Sequence, residues 1–382
     1  MNPLEIGAWI LCGCVAIPFL ISLLNLASFA RLRADDLVPD EQPFVSVLVP
    51  ARNEEHNIGA LLRSLTLQRY DQCEIIVLDD NSEDGTGAII DEIAGNNDRV
   101  TKIVGTPLPD GWVGKNWACH QLSLTAKGEI FLFVDADTTF EPLATDAIVA
   151  RFFRSKADVV SAVPLQIVRS WAERLVVPMP PFLYFAFLPN FLIGRSRNER
   201  FVAANGQVLG FRKEAYERIG GHQRVSGEIV EDIRLAAIAK KEECTIDLAS
   251  AREFVSCRMY RSSEEVIGGF AKNFYPGLGF RPASLLLTCT LLLLLYFVPI
   301  LSLAAAFVFQ PDIALLLPLG IAVILGLDAR AFSDRTFGLH PLLFLLHPAS
   351  VCAVTFIGLR SMRLYRSGTG GEWKGRHYGS SS

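Results

Sequence analysis

The sequence predicts an α/β domain, a mostly parallel sheet with helices on both faces, joined to transmembrane helices at both ends of the chain. Three observations predict it. Short apolar runs alternate with one-face helical patterns between residues 44 and 137. Long uncharged apolar runs stand near both ends, while the middle of the chain is ordinarily polar. Polar, acid-bearing clusters follow three of the strand-like runs, and ligands of open α/β sheets sit beyond the carboxyl ends of the strands.

The chain has 382 residues, room for a catalytic domain beside membrane segments, and its 51% hydrophobic content is unevenly spread. A formal charge of −4, with no basic stripe interleaved with aromatics in the polar part, gives nucleic acid no electrostatic footing. The eight cysteines are scattered, half of them in apolar segments (Cys12, Cys14, Cys289, Cys352), with no C-x-x-C pair. That argues against a zinc site or a disulfide framework and fits a reducing, cytosolic face.

Residues 6–30 are apolar over a spanning length, interrupted only by Pro18, which membrane helices tolerate. No basic stretch precedes the run, and Arg31 and Arg33 follow it, so it reads as an anchor (residues 1–30) rather than a cleaved signal. The positive-inside rule puts the N-terminus outside and the next domain in the cytosol, at the plasma (inner) membrane. A linker, residues 31–43, leads into that domain.

Residues 44–50 form a buried strand, followed by a helix with Ile58, Leu61, Leu62 and Leu65 on one face. Residues 73–78 repeat the strand pattern, break into a polar run at 79–86 and enter another helix. Strands at 100–104 and 129–134 complete the alternation. Side chains of a strand alternate, so Asp135 and Asp137 project to one side, where a carboxylate pair can hold a hard divalent cation against two phosphates. The plainer reading is a helix cap and a turn residue. No G-x-G-x-x-G follows the first strand, which excludes the usual dinucleotide fingerprint. Arg52-Asn53-Glu54, Asp79-Asp80-Asn81 and Asp135-Ala136-Asp137, at three strand ends, look like one site.

These clusters belong to motifs that recur in order: V-P-A-R-N-E-E at 49–55, I-V-L-D-D-N-S-x-D-G-T at 76–86, Gly114-Lys115, D-A-D at 135–137 and Glu231-Asp232. Over residues 44–275 the chain resembles a family 2 glycosyltransferase, whose fold is the GT-A nucleotide-diphospho-sugar transferase domain. Within that family, residues 111–118 (G-W-V-G-K-N-W-A) and 373–376 (W-K-G-R) are most similar to the membrane-bound branch associated with carotenoid and hopanoid lipids.

The resemblance implies a nucleotide diphosphate sugar as donor, a UDP-sugar foremost, and a role for each motif residue. Glu54 and Asp80 would accept hydrogen bonds from base and ribose, though both also suit helix starts. Lys115 would approach the diphosphate or the sugar, or else be solvated. Asp137, with Asp135, would hold Mg²⁺ or Mn²⁺, which neutralises charge on the departing nucleotide. Asp232, with Glu231 as the fallback, would be the base that deprotonates the acceptor, with inversion at the anomeric carbon. By position alone, this pair suits the first turn of a helix over 233–240. Processive relatives carry Q-x-x-R-W, whereas residues 258–262 read R-M-Y-R-S, which points to transfer of a single hexose. Arg258 or Arg261 would pair with the leaving diphosphate or form an ordinary ion pair.

Residues 175–194 are apolar and aromatic but contain Pro178, Pro180, Pro181 and Pro189. A crossing there would put Asp137 and Asp232 on opposite sides of the bilayer. The segment therefore reads as an interfacial hairpin, and the acceptor as a membrane lipid; the competing reading is an internal core segment. In the C-terminal membrane region, residues 276–366, the run 284–309 would extend about 39 Å as a helix. The run 313–327 is shorter, and 342–359 is near spanning length. Three crossings would carry Arg360, Arg363, Arg366, Lys374 and Arg376 away from the cytosol, so residues 313–327 are expected to be re-entrant or incomplete. The tail, residues 367–382, then stays cytosolic with 373–376 in reach of the catalytic face, or rests on anionic lipid. Alternatives to a carotenoid- or hopanoid-type acceptor are polyprenyl phosphate and ceramide. A catalytically silent membrane scaffold is the alternative outside enzymes.

Overall fold

The computed structural model describes residues 1–33, 42–368, 370–373 and 376–378. Residues 34–41 of the expected linker lie outside the described residues, as do Lys374 and Gly375 of the C-terminal W-K-G-R stretch. Helix α1 (Pro3–Ser28) opens on a capping box: Glu5 N–H donates to the Asn2 side chain at 2.9 Å and Asn2 N–H to the Glu5 carboxylate at 3.1 Å. It leads straight into an edge strand, β1 (Ala30–Arg31).

Strands β2 (Val45–Ala51), β3 (Cys73–Asp79), β4 (Val100–Val104) and β5 (Ile130–Val134) alternate with α2 (Ile58–Thr66), α3 (Thr86–Ala94) and α4 (Gly114–Thr125) and pair in parallel. Next come β6 (Thr138–Phe140), α5 (Ala144–Ser155), β7 (Val159–Val163) and β8 (Leu165–Gln166). Residues 171–195 form three short helices, α6 (Trp171–Val176), α7 (Met179–Phe187) and α8 (Phe191–Arg195). The domain closes with β9 (Val208–Arg212), α9 (Lys213–Arg218), α10 (Glu231–Lys241), β10 (Ile246–Ser250) and β11 (Val255–Cys257). The main sheet has the order β1-β10-β7-β9-β5-β2-β3-β4, and β6-β11-β8 form a second, smaller sheet. Only β9 runs against its neighbours β5 and β7 among the described strands of the main sheet.

Alternation along β5 divides the interior. Ile130, Leu132 and Val134 join the core on the α2–α5 side, whereas Phe131 and Phe133 join the core beneath α4 and α10. The register of β2 on β3 (Ala51↔Asp79) and on β5 (Leu48↔Phe133) brings all three acid-bearing loops to one edge of the sheet.

The aromatic segment is held by the end of α1. Buried Asn25 donates its amide to the carbonyls of Phe185 and Leu188, both at 2.8 Å, and accepts the Asn190 N–H at 2.8 Å. These bonds satisfy backbone groups that the prolines leave without helical partners. Phe182 and Phe185 are fully buried, while Trp171, Phe187 and Phe191 are exposed.

Beyond the domain lie α11 (Ser263–Gly277), α12 (Pro282–Tyr296), α13 (Val298–Phe309), α14 (Ile313–Thr336), α15 (His347–Arg366) and a hairpin of β12 (Gly371–Trp373) and β13 (Arg376–Tyr378). Among the described residues, four stretches are long and apolar enough to cross a membrane: Pro3–Ser28, Pro282–Phe309, Ile313–Thr336 and Leu343–Arg366. Residues 313–327, expected to be incomplete, are instead the first part of a 24-residue helix. The apolar run stops at Asp328, but Arg330 and Asp334 pair one turn apart at 2.8 Å with 0% and 1% exposure, so the helix continues with its charges neutralised inside the bundle.

Removing one member of such a pair strands the other. We expect Arg330→Met to lower stability by about 3–5 kcal/mol and Arg330→Met with Asp334→Leu to recover most of it. Thermal unfolding of the detergent-solubilised protein checks this; equal losses in the single and double variants would show that the pair does not act as a unit.

Candidate active site

The site is assembled around one ammonium group. Gly111, at φ +79°, turns the chain into α4, and Lys115 is the second residue of that helix. Its Nζ lies 2.8 Å from Asp135 Oδ1, at the end of β5, and 2.8 Å from Glu231 Oε1, in the first turn of α10. Asp232 follows directly; its Oδ2 accepts the Gly206 N–H at 2.8 Å and its Oδ1 the Ile233 N–H at 2.8 Å. A Cβ on Gly206 would sit 3.3 Å from Asp232 Oδ2 and 3.4 Å from Lys115 Nζ, so a side chain there would wedge between carboxylate and ammonium.

Burial and mutual repulsion set the charges. Burial, then the Glu231 charge, raises Asp232 to about 7. Burial also raises Glu231, but the Lys115 ammonium and its hydrogen bond outweigh that and hold the carboxyl below its usual range. Burial raises Asp135 further than Lys115 lowers it. Burial works against the Lys115 charge, yet Asp135 and Glu231 together keep it protonated well above the usual range. Beneath the cluster lies His222, pushed down to about 3 by burial and therefore neutral, with Nδ1 2.7 Å from the Tyr216 hydroxyl. Pro50, Lys115, Asp135, Gly206, His222 and Glu231 line a cavity of about 10 Å³, room for a single water.

Asp137 lies on the neighbouring side. Burial, then Asp135 and Glu54, raises its carboxyl to about 7, while the Cys257 thiol donates to it. Its Oδ1 is buried without a hydrogen-bond partner. Among the described residues no group of three or more His, Cys, Asp or Glu side chains could hold a metal alone. An orphaned carboxylate oxygen beside a second carboxylate nevertheless fits a Mg²⁺-like ion, which takes one or two protein carboxylates and completes its shell from phosphates and water. Asp137 is the better placed ligand, because Asp135 is already held by Lys115.

The arginines divide. The Arg258 N–H donates to the Asp137 carbonyl at 3.3 Å, but its guanidinium is held by Glu173 Oε1 at 3.1 Å. The Arg261 guanidinium donates to Asn57 Oδ1 at 2.9 Å, and the Asn57 amide donates to Glu54 Oε2 at 2.8 Å. Glu54 and Asp80 sit in two interlocked loops: Arg52 Nη1 donates to the carbonyls of Asp80 at 2.6 Å and Asn81 at 2.8 Å, and Glu83 N–H to Asn53 Oδ1 at 2.9 Å. Asn53 and Asn81 adopt φ +50° and +54°, the left-handed turn that asparagine tolerates.

Lys115, Asp135, Glu231 and Asp232 thus come together, with Asp137 adjacent and Glu54 close enough to act on its charge. Sequence reasoning missed Glu173, Gly206, His222 and Cys257. Glu173 carried a signal, since Ser170 caps α6 and Glu173 stands three residues on, but that pattern reads as a helix start.

Acid-bearing loops at the carboxyl edge of a parallel sheet, with the reversed β9 beside β5, make this a domain of the GT-A fold. Residues 46–220 match the profile of Glycosyl transferase family 2, and the chain is a glycosyltransferase carrying that domain. A 4,4'-diaponeurosporenoate glycosyltransferase of Staphylococcus aureus (strain MRSA252) is 27% identical over 350 residues, 87% of this chain and 88% of that protein. Its namesake from Staphylococcus haemolyticus (strain JCSC1435) is 28% identical over 236 residues, 61% of each chain. The fold is similar to that of mannosyltransferase PcManGT from Pyrobaculum calidifontis, solved with GDP-Man and Mn²⁺, at a TM-score of 0.57 and 20% identity over 93% of this chain and 99% of that one.

Without Lys115, Asp135 and Glu231 would face each other uncompensated. With side chains a tenth to a quarter exposed, we expect Lys115→Met to cost about 2–3 kcal/mol, less than a fully dry pair. A Tm lowered by several degrees in detergent checks this; an unchanged Tm would show that the three groups do not support the fold.

Proposed function

We propose that the chain transfers one hexose from a nucleotide diphosphate sugar to a membrane lipid, a carotenoid-type acid or alcohol foremost, with inversion at the anomeric carbon. The observation that carries this reading is the Lys115 ammonium within hydrogen-bonding reach of Asp135 and Glu231, with Asp232 next along the chain and bonded to the Gly206 N–H. The cavity there is too small for a sugar, so the donor lies over Lys115. The acceptor reading draws on the name of the S. aureus relative and on Ile229, two residues before Glu231, which packs against Tyr275, Leu285 and Tyr365 of the membrane-proximal helices. Arg31 and Arg33 beside α1 favour a cytosolic domain on a multi-pass chain.

Asp232 takes the proton of an acceptor hydroxyl as the new C–O bond forms at the anomeric carbon. The bond to the diphosphate breaks with its electron pair on the departing oxygen. Two backbone N–H groups fix the Asp232 carboxylate plane, and its raised pKa makes it a stronger base than a solvated aspartate. Lys115, and Arg258 held in place by Glu173, balance charge on the leaving diphosphate. Asp137, with Asp135, would hold the divalent cation, which supplies Lewis-acid neutralisation of that same charge. Glu54 and Asp80 would accept hydrogen bonds from the base and ribose.

With a hydroxyl acceptor, we expect Asp232→Asn to keep donor affinity within about twofold and to lower single-turnover transfer at least about 100-fold. An acid acceptor arrives ionised, so the same variant should then lose less than about tenfold. Lost donor affinity with unchanged chemistry would remove Asp232 as base. The pH dependence has a definite sign: a base raised to about 7 is protonated below that value, so wild-type activity on an alcohol falls as pH drops through about 7. We expect Asp137→Ala to abolish both transfer and donor hydrolysis, and to abolish Mn²⁺ binding followed by paramagnetic broadening. Its Tm should stay near wild type, because Oδ1 has no partner and the carboxyl's contact with Cys257 is to a thiol, a weak donor. Activity within a few fold of wild type would end that assignment.

A further inference from the structure

Length and composition give four candidate spans among the described residues, but the packing of their ends separates the last from the others. The domain end of the bundle is fixed where α1 enters β1 and where α14 finishes, since Ser250 Oγ donates to the Thr336 carbonyl at 3.1 Å. The far end is fixed where Ala8, near the start of α1, meets Ala306 of α13 and Leu319 of α14. Helices α12–α13 therefore run away from the domain, and α14 runs back to it.

Residues 338–366 begin and end on the domain side. At their start, the Cβ direction of Gly338 meets Arg252 Cδ and Leu165 Cδ1 at 3.1 Å each, both in the catalytic domain. At their end, the Tyr365 hydroxyl donates to the Lys272 carbonyl at 2.9 Å and Ser361 Oγ accepts the Tyr275 N–H at 3.0 Å, both on α11. Between these ends His347, the first residue of α15, stacks 4.6 Å from the Tyr296 ring with Nδ1 3.4 Å from Arg330 Nη1. Arg330 lies six residues before the end of α14, a depth of about 9 Å. From there α15 returns antiparallel to α12, with Leu285 Cδ1 3.1 Å from the Cβ position of Gly358. A segment whose two ends share a side has not crossed, whatever the depth of the turn between them.

The uncovered face of α15 changes character along the helix. Phe356 and Leu359, at and just past its middle, are 57% and 41% exposed; Arg360, Arg363 and Arg366, from there to its end, are exposed as well. The helix has no acidic residue, and among the described residues none of these three arginines makes an ion pair. Apolar side chains at the middle of the helix and cations from there to its shallow end match the profile of one leaflet read from acyl chain to headgroup.

We propose that residues 338–366 form a re-entrant element in the leaflet facing the catalytic domain, and that Arg360, Arg363 and Arg366 bind the phosphates of anionic lipid headgroups there. The β12–β13 hairpin, which packs against α11, then stays on the catalytic side. This rests on the reading of α1, α12–α13 and α14 as membrane-crossing helices.

The full chain, carrying one protease-cleavable tag after Ser382 and another after Asn96 in the exposed turn before β4, is placed in sealed right-side-out and inverted vesicles. We expect both tags to be cut in one orientation and both protected in the other. Cleavage of the two tags from opposite sides would overturn the re-entrant assignment, whereas cleavage of both in both preparations would overturn the membrane reading beneath it. For the lipid contact, hydrogen exchange over residues 356–368 is compared in nanodiscs of phosphatidylcholine with and without phosphatidylglycerol. Anionic lipid should slow exchange at least about threefold in the wild type and not when all three arginines are changed to glutamine. Equal wild-type exchange in the two lipids would overturn the headgroup assignment.

Discussion

The arrangement of the site depends on one ammonium shared by two carboxylates. Asp135 ends a strand and Glu231 begins a helix almost a hundred residues later, and without a cation between them their approach would be repulsive. Lys115 makes it favourable because α4 is stitched to the loop that carries Glu231. The Val113 N–H donates to the Ser226 carbonyl at 2.7 Å, and the buried Asn116 amide serves the carbonyls of Val225 at 2.7 Å, Ser226 at 3.2 Å and Glu228 at 2.9 Å. One turn of helix therefore supplies both the charge that draws the acids together and the hydrogen bonds that fix the loop between them.

That constraint shapes the neighbouring acids. Glu231 is held ionised by Lys115, and its charge helps keep Asp232 raised. Asp135, engaged by the same lysine, leaves Asp137 as the carboxylate with an unused oxygen. Glu231 and Asp232 are thus split into a partner of the lysine held below its usual range and an acid raised to about 7, whereas Asp135 and Asp137 are both raised. Separation of roles by environment is what acid–base chemistry at neutral pH requires.

The sequence disclosed the strands because buried strands are apolar and end abruptly: the runs 44–50, 73–78 and 100–104 became Val45–Ala51, Cys73–Asp79 and Val100–Val104. Strand order was not legible, since alternation says which face a residue takes and nothing of its neighbour. The reversal of β9, which begins two residues after Gly206, therefore came only with the fold. Lys115, Asp135, Glu231 and Asp232 were legible as motif residues, whereas Gly206 and His222 sit in stretches without a periodic signal. Arg258 was open between a diphosphate contact and an ordinary ion pair; its guanidinium rests on Glu173, a contact across 85 residues that no local pattern encodes. The short reading of 313–327 ended at Asp328, the first charge in the run, while the folded helix continues past it and pairs Arg330 with Asp334.

The loop that carries the candidate base is gripped from two sides. Asn116 holds residues 225–228 toward α4, and Ile229 inserts among Tyr275, Leu285, Cys289 and Tyr365, which belong to α11, α12 and α15. Glu231 and Asp232 follow within three residues, too short a tether for the base to move independently of either support. On the proposed reading, a lipid that displaces the α11–α12–α15 surface therefore shifts the base, and a donor phosphate that draws Lys115 away releases Glu231 at the other end of the same loop. Both substrates then act on Asp232 through covalent neighbours rather than over a distance, which gives the membrane helices a part in aligning the base for the chemistry.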